Sequence, residues 1–535
     1  MNTPCFLGLD FGTECVRAVI VDINGTLAAV ASHRYAHGVI EGIHQKTSTT
    51  STAIISTTIP SAVPIGYALQ VPSDYYESAI QAIRGALDSP GVNAEQIAGI
   101  GVDFTACTAL PVDPAGRWLG ERAEFTNDLH AYAKLWKHHG AIAEAEEINQ
   151  LARSRGELWL SRFGNTTSSE WLHAKWLEVY RKSPAVAKAT ERFVEAGDWI
   201  IEQMTGARCR SACMAGYKGL NAKNARAPRE FFVALDEGFA NELTKLGGLL
   251  VSPGERAGTL TNEFATKTGL RPGTPVSAAI IDAHAALPGL GVAAPGTLVI
   301  ILGTSGCHIL LAERELLVTG IQGVVEDGVV PGLFAYEAGQ PAVGDLYAWV
   351  SRTTGKSMDE LEREASCAKP GASSLLMLDW FNGNRSILVN PELKGVVAGL
   401  TLNTTPADLY RAAAEGTAFG TRVIIEQFES FGMKIHNIAV CGGIAEKSPF
   451  ILQIFADATG RDLHKPNATE VCARGAAICG AAVSGYFKNM SDAARALSRG
   501  GGSRIAPAAD ATKRYHLQYQ EWRKLHDAFA SPAKK

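Results

Sequence analysis

The sequence predicts an α/β protein built from two halves of related architecture, and three observations predict it. The chain opens on an apolar run, Cys5 to Leu9, then Asp10-Phe11-Gly12-Thr13, then a second run, Val16 to Val21. Near residue 290 the pattern restarts: Thr297 to Leu302, then Gly303-Thr304-Ser305-Gly306, then His308 to Ala312. A third short run, Ile438 to Cys441, leads into Gly442-Gly443 and then into helical spacing at Phe450 to Thr459. Strands alternating with helices define the class, and the repeated strand–turn–strand defines two lobes that divide near residues 285–296.

The elements follow in order. Asn24-Gly25 between apolar runs predicts a hairpin with both turn residues at positive φ. Residues 45–62, rich in Ser and Thr with Pro60 near their end, read as an exposed loop or an insertion. Ser73 to Leu87 has helical spacing, and Ile97 to Val102 is a short buried strand that delivers Asp103, Thr105 and Ala106 at its end. Residues 129–153 and 168–182 read as helices, the second opened by Thr167 and Glu170 at capping-box spacing. His138 and His139 on the polar first helix are expected as surface residues or substrate-loop neighbours, not as metal ligands. Trp136, Trp171 and Trp176 are expected in the core rather than as sugar-stacking platforms, with a place facing the pocket open to one of them. Pro275 to Leu302 is apolar, yet Asp282, His284, Pro288 and Pro295 interrupt it, so it reads as two buried elements and not as a membrane span. Ala407 to Phe431 is a long helix. Arg474 to Ser484 is a helix of small residues, suited to close packing. The tail after Lys488 is helical and charged and ends in Pro532, Ala533, Lys534 and Lys535, read as disordered.

Composition narrows the partners. The hydrophobic fraction is 46% and the charged fraction 19%, so the chain can bury a large core. Net charge is -4, with no block of Lys and Arg dense enough for a nucleic-acid backbone or an anionic membrane. The expected partner is a small molecule, with a homodimer left open. Ten Cys lie scattered without a CxxC pair, as expected of free thiols in a reducing cytoplasm. No basic segment precedes the first apolar run, so it is not read as a secretory signal.

The turns carry the chemistry. Gly12 has no Cβ, so backbone can approach a phosphate closely there. The Thr13 hydroxyl and nearby backbone N–H groups can donate to phosphoryl oxygens. Asp10, acceptor-only when ionised, suits Mg²⁺ held through water. Gly303-Thr304-Ser305 occupies the matching place in the second half. A Walker A loop is excluded: Gly442-Gly443-Ile444-Ala445-Glu446-Lys447-Ser448 has Glu446 where its second Gly belongs.

Asp10-Phe11-Gly12-Thr13, Gly303-Thr304-Ser305 and Gly442-Gly443 resemble, in that order, the actin-like ATPase superfamily, and within it the FGGY carbohydrate kinases. Gly395-x-Val397-x-Gly399-Leu400 followed by Asp408-Leu409-x-x-Ala412-Ala413-x-Glu415 is similar to a second signature of that family, departing at Ala414. The resemblance covers about residues 5–490. It implies two actin-like, ribonuclease H-like lobes with a nucleotide cleft between them. Residues 1–288 would carry sugar-binding elements and 289–535 nucleotide-binding elements. It implies ATP and Mg²⁺ as cofactors, Gly303 and Thr304 on the phosphates, and Gly442, Gly443 and Lys447 around the adenosine. Segments Gly101 to Cys107, Leu135 to His139, Ala215 to Lys218, Glu337 to Gln340 and Asp379 to Arg385 resemble ribulokinases rather than glycerol or xylulose kinases. That implies a ketopentose held by Ala106, Lys218, Asp282 and Glu337. Tyr217, Gly306 and the Ile281-Asp282-Ala283-His284 stretch depart from the pattern.

The expected reaction is phosphorylation of L-ribulose to L-ribulose 5-phosphate, with Asp282 as base for in-line attack on the γ-phosphoryl group of ATP. Burial at the end of an apolar segment is expected to raise the Asp282 pKa. Arg17 is expected in a structural ion pair, and Asp103 as an N-cap or buried acceptor. Lobe closure is the expected dynamic step. Two other readings stay open: a kinase for D-ribulose, xylulose or a pentitol, and a non-kinase actin-like ATP-binding protein. The Lys218, Asp282 and Glu337 set argues against the second.

Overall fold

The computed structural model describes residues 3–42, 63–223, 225–321, 323–371, 375–498 and 501–530. The Ser/Thr-rich stretch 45–62 and the last four residues lie outside them. The chain divides into two compact units. The first comprises residues 1–293, 325–334 and 470–499; the second comprises 294–324, 335–469 and 500–535.

In the first unit the apolar opening runs form strands Cys5–Phe11, Cys15–Asp22 and Leu27–Arg34, paired antiparallel in sequence. Strand Ile97–Phe104 adds parallel to the first, with Asp10 opposite Asp103. Strands Pro275–Ser277 and Ile280–Ile281 both add parallel to Ile97–Phe104. The predicted hairpin forms, but only Gly25 of its turn has positive φ, at +82°. The Asp22 carboxylate accepts from the backbone N–H of Asn24 and Thr26, and this side-chain turn makes a second left-handed residue unnecessary.

A smaller sheet in the same unit orders Ile40–Glu41, Ala68–Gln70, Ala133–Lys134, Ala109–Val112 and Arg192–Glu195. Here the helical expectation for 129–153 fails at its front. Leu129–Ala131 is a single tight turn, Ala133–Lys134 pairs with Leu69, Gln70 and Ala109, and the helix runs only from Ile142 to Arg155. Sheet pairing overrides helix propensity there. The next helix is Leu172–Lys182, not opened by the expected capping box: the Ser168 hydroxyl takes the Glu170 N–H instead.

The second unit repeats the scheme. Thr297–Leu302 pairs antiparallel with Gly306–Ala312 and parallel with Asn437–Cys441, which pairs parallel with Leu463–Pro466. The 25-residue helix Pro406–Ser430 opens on a capping box between Thr405 and Asp408. The tail adds helix Met490–Leu497, which groups with the first unit, then strand Gly502–Ile505 and helix Ala509–Ala530. The apolar stretch from Pro275 resolves into strands Pro275–Ser277 and Ile280–Ile281, helix Asp282–Gly289 and strand Thr297–Leu302. Among the described residues no helix is long and apolar enough to cross a membrane.

Candidate active site

Three parallel strands deliver the first set of side chains. Cys5–Phe11, Ile97–Phe104 and Ile280–Ile281 end together, so Asp10, Asp103 and Asp282 stand at or just beyond the carboxyl edge of one sheet. That edge is where open α/β sheets bind ligands. Asp10 Oδ2 accepts from Arg17 Nη1 across the hairpin at 3.0 Å, and Arg17 Nε donates to Glu470 Oε2 at 3.0 Å. Arg17 is therefore the structural ion pair the sequence suggested. Asp103 is fully buried, and neither of its oxygens receives a hydrogen bond from a donor group. Burial, then the carboxylates of Asp10 and Asp282, push its pKa well above the ordinary carboxylate value. Asp103 is thus a buried carboxyl beside Asp10 at the strand end, and not an N-cap.

The Gly12–Thr13 turn is pinned on every side. Gly12 N–H donates to Cys15 O at 3.1 Å, Tyr35 OH to Gly12 O at 3.0 Å and Gln70 Nε2 to Thr13 O at 2.7 Å. Trp136 Nε1 donates to Thr13 Oγ1 at 3.1 Å. Trp136 is 40% exposed, whereas Trp171 and Trp176 are buried as expected. The two histidines also divide: His139 is exposed, with its Nδ1 3.2 Å from Ser169 Oγ. His138 is fully buried, its Nε2 3.0 Å from Glu178 Oε2 and its Nδ1 accepting from Ala68 N–H. Burial and the charge of Lys134 push its pKa down to about 3, so the ring is neutral.

Ala106 is half-buried at the turn after Phe104, followed by Cys107 at φ +49°. Lys218 ends the short helix Ala212–Tyr217, with its ammonium 5.5 Å from the centre of the Trp171 ring. That helix is fastened along 279–284. Ser211 Oγ donates to Ala279 O at 2.6 Å, Ile281 N–H to Cys213 Sγ at 3.5 Å, and the Tyr217 ring lies 4.2 Å from that of His284. These three contacts fix the helix that ends at Lys218 against the segment that contains Asp282. Asp282 is half-buried and is the first residue of helix Asp282–Gly289, its Oδ1 accepting from Ala283 N–H at 2.7 Å.

The second unit holds a cavity of about 880 Å³, within the usual range for small-molecule sites. Gly303, Thr304, Gly443 and Lys447 all line it. The Gly303–Thr304 turn is fixed because Gly344 N–H donates to Gly303 O at 3.0 Å, and Val343 and Asp345 donate to Thr304 O at 3.0 and 3.2 Å. Gly442 stands behind the lining at φ +94°, where a Cβ would meet Leu302 O; no other residue fits that turn. Tyr347, Tyr410, Met358, Phe450 and Ile451 give the cavity apolar walls. Glu362 is a charged member of the lining, and its Oε2 accepts from Ser448 Oγ at 2.8 Å. Sequence patterns did not flag these lining residues, because they come from four separate helices. Glu337 is buried in strand Phe334–Gln340 of this unit.

Residues 5–289 match the N-terminal domain, and residues 298–484 the C-terminal domain, of the FGGY family of carbohydrate kinases. The chain belongs to the FGGY family of carbohydrate kinases. As an FGGY kinase it is a phosphotransferase acting on a carbohydrate, with ATP as donor. It is 42% identical over 556 residues to a ribulokinase of Halalkalibacterium halodurans, spanning 100% of this chain and 96% of that protein. A ribulokinase of Geobacillus thermodenitrificans is also 42% identical, over 99% of this chain and 95% of its own. A solved xylulose kinase of Rhodospirillum rubrum shares the FGGY fold with a TM-score of 0.79, at 22% identity over 98% of each chain.

Proposed function

We propose that this kinase phosphorylates a ketopentose, L-ribulose first, to L-ribulose 5-phosphate. The observation that supports the reading is the common edge at which the strands before Asp10, Asp103 and Asp282 end, with the helix before Lys218 fastened along 279–284, in a chain similar along its length to ribulokinases. Ala106, Lys218 and Asp282 hold the sugar, and Glu337 belongs to the same set. Lys plus carboxylates supply the donors and acceptors that a polyol needs. Asp282 takes the proton of the terminal hydroxyl; the oxygen bonds to the γ-phosphorus, the bond to the β-phosphate oxygen breaks, and ADP leaves. Gly303, Thr304, Gly442, Gly443 and Lys447 bind the nucleotide. Trp136 occupies a lone pair of the Thr13 oxygen, which leaves the Thr13 O–H to donate to a phosphoryl oxygen.

Mg²⁺ accompanies ATP in this reading. Among the described residues no three acidic, His or Cys side chains form a metal cage. Asp10, with one oxygen on Arg17 and the buried Asp103 carboxyl opposite it in the sheet, fits an ion that keeps most of its waters. Such an ion offsets the negative charge of the phosphoryl oxygens. The free thiols among the described residues support a reducing cytoplasm as its compartment, and the product would feed arabinose breakdown.

A sugar panel with ADP detection tests the assignment: L-ribulose is expected to give the highest kcat/KM, and a preference for D-ribulose, xylulose or a pentitol would replace it. Asp282→Asn is expected to lower ketopentose-dependent turnover by about 10²–10⁴-fold while ATP still binds. Loss of ATP binding instead would remove Asp282 from the role of base.

A further inference from the structure

Helix Leu172–Lys182 carries a buried charge that none of these roles uses. Lys175 is fully buried, and an ammonium survives there only if its donors are met. Lys175 Nζ donates to Cys107 O at 2.6 Å, to Leu135 O at 2.9 Å and to Lys134 O at 3.4 Å. Three donors thus face three backbone carbonyls from two segments. A methionine would fill the same volume, but it cannot hold those carbonyls together.

Both segments border the site. Cys107 follows Ala106 and sits in the left-handed region at φ +49°, a conformation that needs support from its surroundings. Leu135 precedes Trp136, whose indole N–H reaches Thr13 Oγ1. One turn further along the helix, Glu178 grips the side chains on either side of Trp136, with Oε2 3.0 Å from both Lys134 Nζ and His138 Nε2. The segment is therefore held by its carbonyls through Lys175 and by its side chains through Glu178.

We propose that Lys175 is a positioning residue for phosphoryl transfer: its ammonium ties the Ala106–Cys107 turn to the segment bearing Trp136, and so sets the sugar wall against the Thr13 turn. The proposal rests on the reading of Ala106 as a wall of the sugar pocket. The lysine touches neither substrate; it acts through the two pieces of backbone that carry Ala106 and Trp136.

The test is steady-state kinetics of the full chain with L-ribulose and ATP for Lys175→Met and Lys175→Gln. The expected result is at least a tenfold rise in KM for the ketopentose, with ATP affinity measured without sugar unchanged within twofold. Amide exchange is expected to quicken at 105–109 and 134–138 while the rest of the first unit stays protected. A lowered melting temperature with unchanged ketopentose KM would make the lysine merely structural and overturn the proposal. So would failure of both variants to fold. Ala106→Val separates the two layers. If it leaves the ketopentose KM unchanged, the sugar-wall reading fails; if it raises KM while the Lys175 variants do not, only the role of Lys175 fails.

Discussion

His173 lies in the core of the first unit, its ring stacked on Phe232 with centroids 4.9 Å apart and planes 12° from parallel. Its Nδ1 has no hydrogen-bond partner. Burial, then the charge of Arg210, push its pKa down to about 3. The unfolded chain therefore binds a proton below about pH 6.5 that the folded chain refuses. Stability from this group is full above that value and falls as the pH drops, by about 1.4 kcal/mol per unit. His173→Phe removes the proton site and keeps the stack. Going from pH 7.5 to 5.0, the variant should gain about 2 kcal/mol relative to the parent, read from urea unfolding of both at both pH values. Parallel losses in the two proteins would mean that His173 is protonated in the folded chain.

The element that organises the first unit is helix Val471–Val483, sequence VCARGAAICGAAV. It lies directly on the sheet because both surfaces lack side chains where they meet. A Cβ at Gly8 would strike Ala473 O, one at Gly101 would strike Ala476 O, and on the helix's other side one at Gly475 would strike Ala285 O of helix Asp282–Gly289. Arg474 Nη1 adds a bond to Gly25 O at 2.9 Å in the first hairpin turn. Backbone cannot swing aside as a side chain can, so Gly101→Ala should cost about 3 kcal/mol or more and lower the melting temperature by several degrees. Gly443 is the control: a Cβ there meets nothing within 4 Å, so Gly443→Ala should leave the melting temperature unchanged. Equal stability of Gly101→Ala and the parent would contradict the backbone contact.

At the scale of the molecule, the first unit is not a contiguous stretch of chain. It needs residues 470–499, which follow a long excursion through the second unit. A fragment of residues 1–289 would expose the sheet face that Val471–Val483 covers, with glycines where a core should be. It is expected to aggregate or to unfold without a cooperative transition, checked by gel filtration and thermal circular dichroism. A monomeric fragment with a sharp transition would show that the helix is dispensable.

Local patterns carried much of this protein. Apolar runs broken by Asp-Phe-Gly-Thr and Gly-Thr-Ser named the paired strands, small residues at 474–484 named a close-packed helix, and the FGGY motifs named the family. Those features are readable because each depends on neighbours a few positions away. The tertiary structure decided what depends on distant partners. His138 and Trp136, two positions apart, exchanged their expected places: the histidine is buried against Glu178 and the tryptophan is turned out to Thr13. The Asp103 pKa is raised because packing buries it and strand register sets it beside Asp10. Lys175, an ordinary helical lysine in the sequence, found its three acceptors 40 or more positions away. Burial and hydrogen-bond partnership are properties of the packed chain, and no periodicity encodes them.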